Sequence, residues 1–76
     1  MLIGTYTAQY IYETMCGFEK GHTYTIEIDK DRYGYTIVGI QDISTGNYID
    51  ACMNFSSEKS VRQHFIIQED LTTLKE

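Results

Sequence analysis

Apolar and polar residues alternate along most of the chain. In residues 3–12, Tyr6, Ala8, Tyr10 and Tyr12 fall on one face, and the intervening residues are mainly threonine and glutamine. The same period recurs over residues 23–29, 35–43 and 48–55. Successive side chains of a strand point to opposite faces, so this period is typical of half-buried strands. The pattern predicts four strands.

Short polar segments separate the predicted strands. Asp31-Arg32-Tyr33-Gly34 suits a type I turn with glycine in a left-handed conformation, and residues 44–47 suit a second hairpin turn. Residues 13–22 contain two glycines and are predicted to form a loop. Gly39 interrupts the third strand, where glycine often marks a bulge or a sharp bend. The second, third and fourth strands therefore form a predicted meander.

The last twenty residues follow a different pattern. Ser56 or Ser57 suits a helix cap and Glu58 suits the first turn, so residues 57–64 are predicted to form a short helix. Phe65-Ile66-Ile67 favours a fifth strand, because aromatic and β-branched residues favour strands. The alternative is one helix from Ser57 to about Leu74. We expect the tail from about Thr72 to fray.

The strand phase also predicts which side chains form the core. Residues that share the apolar face of a strand, together with the apolar positions of the short helix, are expected to be buried. These residues are Tyr24, Ile26, Ile28, Ile37, Ile49, Ala51, Met53, Phe55, Val61 and Phe65.

A chain of 76 residues makes one domain, 1–76. The predicted class is mainly β: a five-stranded SH3-like barrel or a strongly bent antiparallel sheet, with one short helix before the last strand. The order of elements over roughly residues 3–70 resembles small SH3-like barrels, and short acidic chains of this kind look like products of bacteria and their phages. Residues 13–19 lack the acidic-aromatic motif of peptide-binding SH3 domains, and the chain has no tryptophan or proline. The resemblance therefore assigns no functional residue.

The chain is acidic, with eleven carboxylate residues, six lysines and arginines, and a net charge of −5. Direct binding to nucleic acid needs a basic stripe and is not expected. The acidity suits solubility or attraction to a basic protein surface. The N-terminal segment does not resemble a signal peptide, no stretch is apolar enough to span a membrane, and the two cysteines are far apart. We expect a cytoplasmic protein that does not bind membranes.

Three candidate chemistries are weak in this sequence. Residues 29–34 begin like a calcium loop, but Tyr33 and Ile40 occupy positions that need oxygen ligands. The spacing of Cys16, His22, Cys52 and His64 matches no common zinc site. A Cys–His nucleophile pair has no evident orienting residue. We therefore predict no metal, no cofactor and no catalytic activity.

The remaining hypothesis concerns a binding surface. Tyrosine offers large contact area at low entropic cost, and carboxylates pair with arginine and lysine. We expect a small protein-binding module or inhibitor whose acidic, tyrosine-bearing face occupies a basic surface on a partner, as when a phage or mobile-element protein blocks a host nucleic-acid-binding enzyme. The alternative is a structural module that forms homo-oligomers through its sheet edges. The predicted binding residues are Asp29, Asp31, Tyr33, Tyr48 and Asp50.

Overall fold

The computed structural model describes residues 2–72, and within that range the chain forms five strands and one short helix. The predicted helix and fifth strand are confirmed, and a single long helix is wrong because extended backbone begins at Phe65. The tail from about Thr72 was predicted to fray, and the part of it beyond Thr72 lies outside the described residues. The elements are β1 (Gly4–Tyr10), β2 (Thr23–Asp31), β3 (Gly34–Asp42), β4 (Tyr48–Phe55), α1 (Glu58–His64) and β5 (Phe65–Asp70).

All five strands belong to one antiparallel sheet with the order β4-β3-β2-β1-β5. The predicted meander forms one side of this sheet, and β5 adds beside β1. The connection through α1 carries the chain from one edge of the sheet to the other. β4 and β5 are therefore the two edge strands.

The sheet is strongly bent. In a flat sheet, β4 and β5 would lie about 19 Å apart, because four intervals of roughly 4.8 Å separate them. The rings of Phe55 at the end of β4 and Phe65 at the start of β5 are instead only 6.4 Å apart between centroids. The inner face of the sheet thus closes around the core, and the predicted β class with a strongly bent sheet is confirmed.

The predicted irregularity at Gly39 is also confirmed. The register between β2 and β3 shifts between Thr25 and Ile26, opposite Gly39 and Gln41. The register between β3 and β4 shifts between the same two residues of β3. The disruption of both ladders at this point bends the strand locally, as bulges do.

The core contains the predicted residues and several others. Eight of the ten are buried, and the half-buried Ile49 and Phe55 pack against them. Tyr12 does not continue the buried face of β1, because β1 ends at Tyr10. The Tyr12 ring instead packs against the His64 ring, tilted by 38° with centroids 4.0 Å apart, and remains 46% exposed. Within residues 2–72, the buried residues outside the predicted ten are Leu2, Tyr6, Ala8, Tyr10, Phe18, Tyr35, Gly39 and Asp42.

The loop between β1 and β2 contributes one of these, Phe18. Met15 and Phe18 exchange two backbone hydrogen bonds of 3.0 and 2.9 Å around Cys16 and Gly17. Both central residues have positive φ, 55° and 90°, as in a type I′ turn. This tight turn directs Phe18 into the core, where its ring meets Tyr10, Tyr24 and Phe65 at centroid distances of 5.5, 5.0 and 5.2 Å.

Candidate protein-binding surface

Three of the five predicted binding residues lie near the turn between β2 and β3. Oδ1 of Asp31 accepts hydrogen bonds from the backbone N–H groups of Tyr33 and Gly34, at 2.8 and 3.2 Å. Asp31 therefore stabilises the turn itself. The Tyr33 side chain is 82% exposed, and Asp29 is exposed on β2 opposite Thr36.

The charges at this turn are balanced. The guanidinium of Arg32 lies 5.8 Å from the centroid of the Tyr33 ring, and Nζ of Lys30 lies 5.8 Å from that of Tyr35. Both distances fall within the range of cation–π attraction. With two cations beside two carboxylates, the turn offers aromatic contact area and little net charge.

Tyr48 and Asp50 lie at the other end of β3 and β4. Tyr48 pairs with Gln41 and is 79% exposed. Tyr33 precedes β3, so about seven strand residues separate the two tyrosines, or roughly 23 Å at the usual rise per residue. The structure thus separates the five predicted residues into two groups, because the two hairpin turns lie at opposite ends of the strands.

One surface connects the two groups. We call it the acidic face: the outer side of β2, β3 and β4, which carries the exposed carboxylates of Glu27, Asp29 and Asp50. Within residues 2–72, the outward positions of these three strands include no lysine or arginine. Glu27 was not among the predicted binding residues, although the alternation of β2 places it on the same side as Asp29.

A cleft of about 280 Å³ lies beside the β2–β3 turn. Thr36 and Asn54 form part of its wall, and the hydroxyl of Thr36 donates a 3.0 Å hydrogen bond to Oδ1 of Asn54. The sequence held no signal for this cleft, since it forms where the turn meets the end of β4. Its lining residues are Asp31, Tyr33, Gly34, Tyr35, Thr36, Asn54, Phe55 and Ser56.

A histidine–aspartate pair joins the β1–β2 loop to the β3–β4 hairpin. Nδ1 of His22 lies 2.8 Å from Oδ2 of the buried Asp42, and this hydrogen bond raises the pKa of His22 above its ordinary value. Oδ1 of Asp42 accepts from the backbone N–H groups of Ser44 and Thr45 at 2.9 and 3.3 Å. Glu19 lies 3.9 Å from Nε2 of the same imidazole. Both polar partners of the His22 ring among the described residues are thus carboxylates, so the His22–Asp42 pair stabilises the fold by charge and hydrogen bonding.

The four residues considered as zinc ligands have other surroundings. Cys16 and Cys52 are free and exposed, and Nδ1 of His64 lies 2.8 Å from the carbonyl oxygen of Ser60. Across residues 2–72, no group of three or more histidine, cysteine, aspartate or glutamate side chains is arranged to hold a metal ion.

Comparison with known proteins gives no relative: no family model, curated protein or solved structure matches this chain. In the described part of the chain, the helix α1 has seven residues. No helix in that part is long and apolar enough to cross a membrane.

Proposed function

We propose that this protein is a small, non-catalytic protein-binding module whose acidic face occupies a basic surface on a partner protein. The observation that carries the proposal is the sign of the charge on that face. Glu27, Asp29 and Asp50 lie on the acidic face, and the outward positions of this face within residues 2–72 include no lysine or arginine. Such a surface attracts a basic partner during encounter and disfavours acidic ones.

The two exposed tyrosines supply contact area at the ends of this face. Among the large hydrophobic side chains of residues 2–72, Tyr33 and Tyr48 are the most exposed, at 82% and 79%. Tyrosine rings are large and rigid, and they are enriched at binding surfaces. A partner that contacts both would span about 23 Å along β3.

The chemistry of the acidic face also indicates a class of partner. An array of carboxylates resembles a phosphate backbone in charge, so the partner's complementary surface is one that otherwise holds nucleic acid. A cytoplasmic inhibitor from a phage or mobile element, built on an SH3-like barrel, is the form of the proposal that fits the acidic composition and the order of strands.

The test starts with affinity capture from the source cell and identification of the bound protein. The association rate is then measured for the parent chain and for the double variant Glu27→Lys/Asp29→Lys, at low and at high salt. These two residues are preferable to Asp31, whose carboxylate accepts hydrogen bonds within the turn. We expect association to slow about tenfold or more at low salt and the difference to shrink at high salt, because salt screens exposed charges.

A matched control separates local from overall charge. The double variant Glu13→Lys/Glu69→Lys makes the same change in net charge at exposed positions outside the acidic face. It should affect association much less. Equal slowing by the two variants, or an unchanged rate for Glu27→Lys/Asp29→Lys at both salt concentrations, would contradict the proposal. Double-stranded DNA should compete with the chain if the partner surface holds nucleic acid.

A further inference from the structure

The β4 edge has few of the charged residues, and no proline, that would guard it against pairing with another strand. Within residues 2–72, β4 has a single neighbouring strand, β3, so its other side presents backbone N–H and C=O groups. Its eight residues, Tyr48–Phe55, include no lysine, arginine or proline and only one carboxylate, Asp50. Natural proteins usually protect edge strands with such residues, with bulges or with a covering element, because a free edge is a template for pairing.

The β5 edge is different. It has six residues and ends in two adjacent carboxylates, Glu69 and Asp70. Both edge strands contain a register shift, β5 opposite Thr7 and Ala8 of β1 and β4 opposite Gly39 and Gln41 of β3, so the difference between the two edges rests on length and charge. Of the two edges, β4 is therefore the one suited to accept another strand.

The sequence of β4 is complementary to itself in one antiparallel register. We propose that a second copy of this chain pairs with β4 about a two-fold axis at Cys52. Asp50 then lies opposite Asn54 of the second copy, so a carboxylate faces an amide that donates hydrogen bonds. On the inner side, Ile49 lies opposite Phe55 of the second copy, a favourable β-branched–aromatic pair.

The neighbouring registers are less suitable. An axis at Asp50 places two carboxylates directly opposite each other, which is unfavourable. An axis at Ala51 places Asp50 opposite Cys52, which offers the carboxylate no comparable donor. All three axes keep both inner faces on the same side, because each pairs residues with the same position in the alternation, so the choice among them rests on the side chains that face each other.

Salt distinguishes this dimer from the charge-driven binding proposed above. Each chain carries a net charge of −5, so two copies repel each other at low salt. We expect the dimer to strengthen as salt rises, because screening weakens this repulsion. Binding of a basic partner through the acidic face weakens under the same change, so each proposal can fail independently of the other.

The first test measures the dissociation constant of the dimer by sedimentation equilibrium, up to millimolar chain concentration. Asn54→Asp places a carboxylate opposite Asp50 of the second copy. The aspartate keeps an Oδ1 atom that can accept the hydrogen bond from the Thr36 hydroxyl, so the contact within the chain is preserved. The matched control is Gln68→Glu, which makes the same change in charge on the β5 edge. We expect Asn54→Asp to weaken the dimer about tenfold through its two symmetric contacts, and Gln68→Glu to have a much smaller effect. A chain that stays monomeric at every salt concentration, or equal weakening by both variants, overturns the proposal.

The second test identifies the register. Residues directly opposite each other in an antiparallel pair have Cα atoms about 4.5–5.5 Å apart, within the range that a disulfide spans. In the variant Cys16→Ser, diamide should oxidise two Cys52 thiols to one interchain disulfide, taking up the two electrons and two protons. We expect the cross-linked dimer to form more readily than with Cys52→Ser, in which Cys16 is the remaining thiol. Equal cross-linking through Cys16, or none through Cys52 at concentrations where the chain is dimeric, overturns the Cys52 axis.

Discussion

The ring of Phe18 packs against the backbone of Gly39, and a Cβ added to Gly39 would lie only 2.9 Å from Cε1 of that ring. The added Cβ would also lie 2.7 Å from Cδ1 of Ile49. Glycine at this position therefore makes room for the ring that the β1–β2 loop inserts into the core. The bulge in β3 and the burial of the loop aromatic belong to one packing arrangement.

Gly39→Ala should destabilise the fold. Forcing an additional carbon into a close-packed core typically costs about 1–3 kcal/mol. We expect this loss in the free energy of unfolding, measured by urea denaturation. In the Phe18→Leu background the shorter side chain leaves more space, so the same glycine substitution should cost less. Equal losses in the two backgrounds would show that Phe18 does not set the requirement for glycine.

Phe18→Ala should be among the most damaging substitutions outside the strands and helix. Phe18 is completely buried, and truncating a core phenylalanine costs about 3–5 kcal/mol. Met15→Ala, in the same loop at a position that is 44% exposed, serves as the control and should cost far less. A thermal melt of each variant makes the comparison. Similar melting temperatures for Phe18→Ala and the parent would place the ring outside the core.

The cap of α1 distinguishes two adjacent serines. Oγ of Ser57 accepts a 3.2 Å hydrogen bond from the backbone N–H of Ser60, and Ser56 is exposed before the cap. Loss of such a cap costs about 0.5–2 kcal/mol. Ser57→Ala should lower the free energy of unfolding by this amount, whereas Ser56→Ala should leave it nearly unchanged. The reverse order would mean that the helix begins one residue earlier.

The His22–Asp42 pair should make stability depend on pH. Its hydrogen bond to Asp42 raises the pKa of His22 in the folded chain above the ordinary 6.5, and Glu19 acts in the same direction while burial opposes it. The stabilisation is therefore complete below 6.5 and is lost as pH rises through the raised folded pKa. We expect the free energy of unfolding to fall over that interval.

His22→Gln provides the control for this pH dependence, because glutamine does not titrate. The fall in stability as pH rises above 6.5 should be smaller in this variant. NMR titration of the His22 ring should show a midpoint above 6.5 in the folded parent. A midpoint at or below that value, or the same pH dependence in His22→Gln, would contradict the assigned role.

The strands and the short helix could be predicted because their signals are local. Alternation indicates strands, and Ser57 with Glu58 indicates a helix start. Phe18 was missed because it lies in a glycine-flanked loop with no period, and only the turn at Cys16 and Gly17 directs it inward. The burial of Asp42 was missed for a related reason: its histidine partner lies 20 residues earlier in the chain.

The candidate surface could be predicted in part. The alternation of β2 and β4 correctly indicated that Asp29 and Asp50 point outward. It did not show that the two hairpin turns lie at opposite ends of the sheet, so Tyr33 and Tyr48 are far apart. Nor did it single out Glu27, whose position between the two groups depends on strand pairing across β2, β3 and β4.

The position of β5 beside β1 determines when a newly made chain can fold. Tyr10 in β1 packs against Phe65 at a centroid distance of 5.1 Å, although 54 residues separate them in the chain. The ribosome makes β1 first and β5 last of the five described strands. The meander of β2, β3 and β4 is therefore made before β5, and the core stays open until β5 has left the ribosome. Nascent chains stalled before Phe65 should remain sensitive to protease.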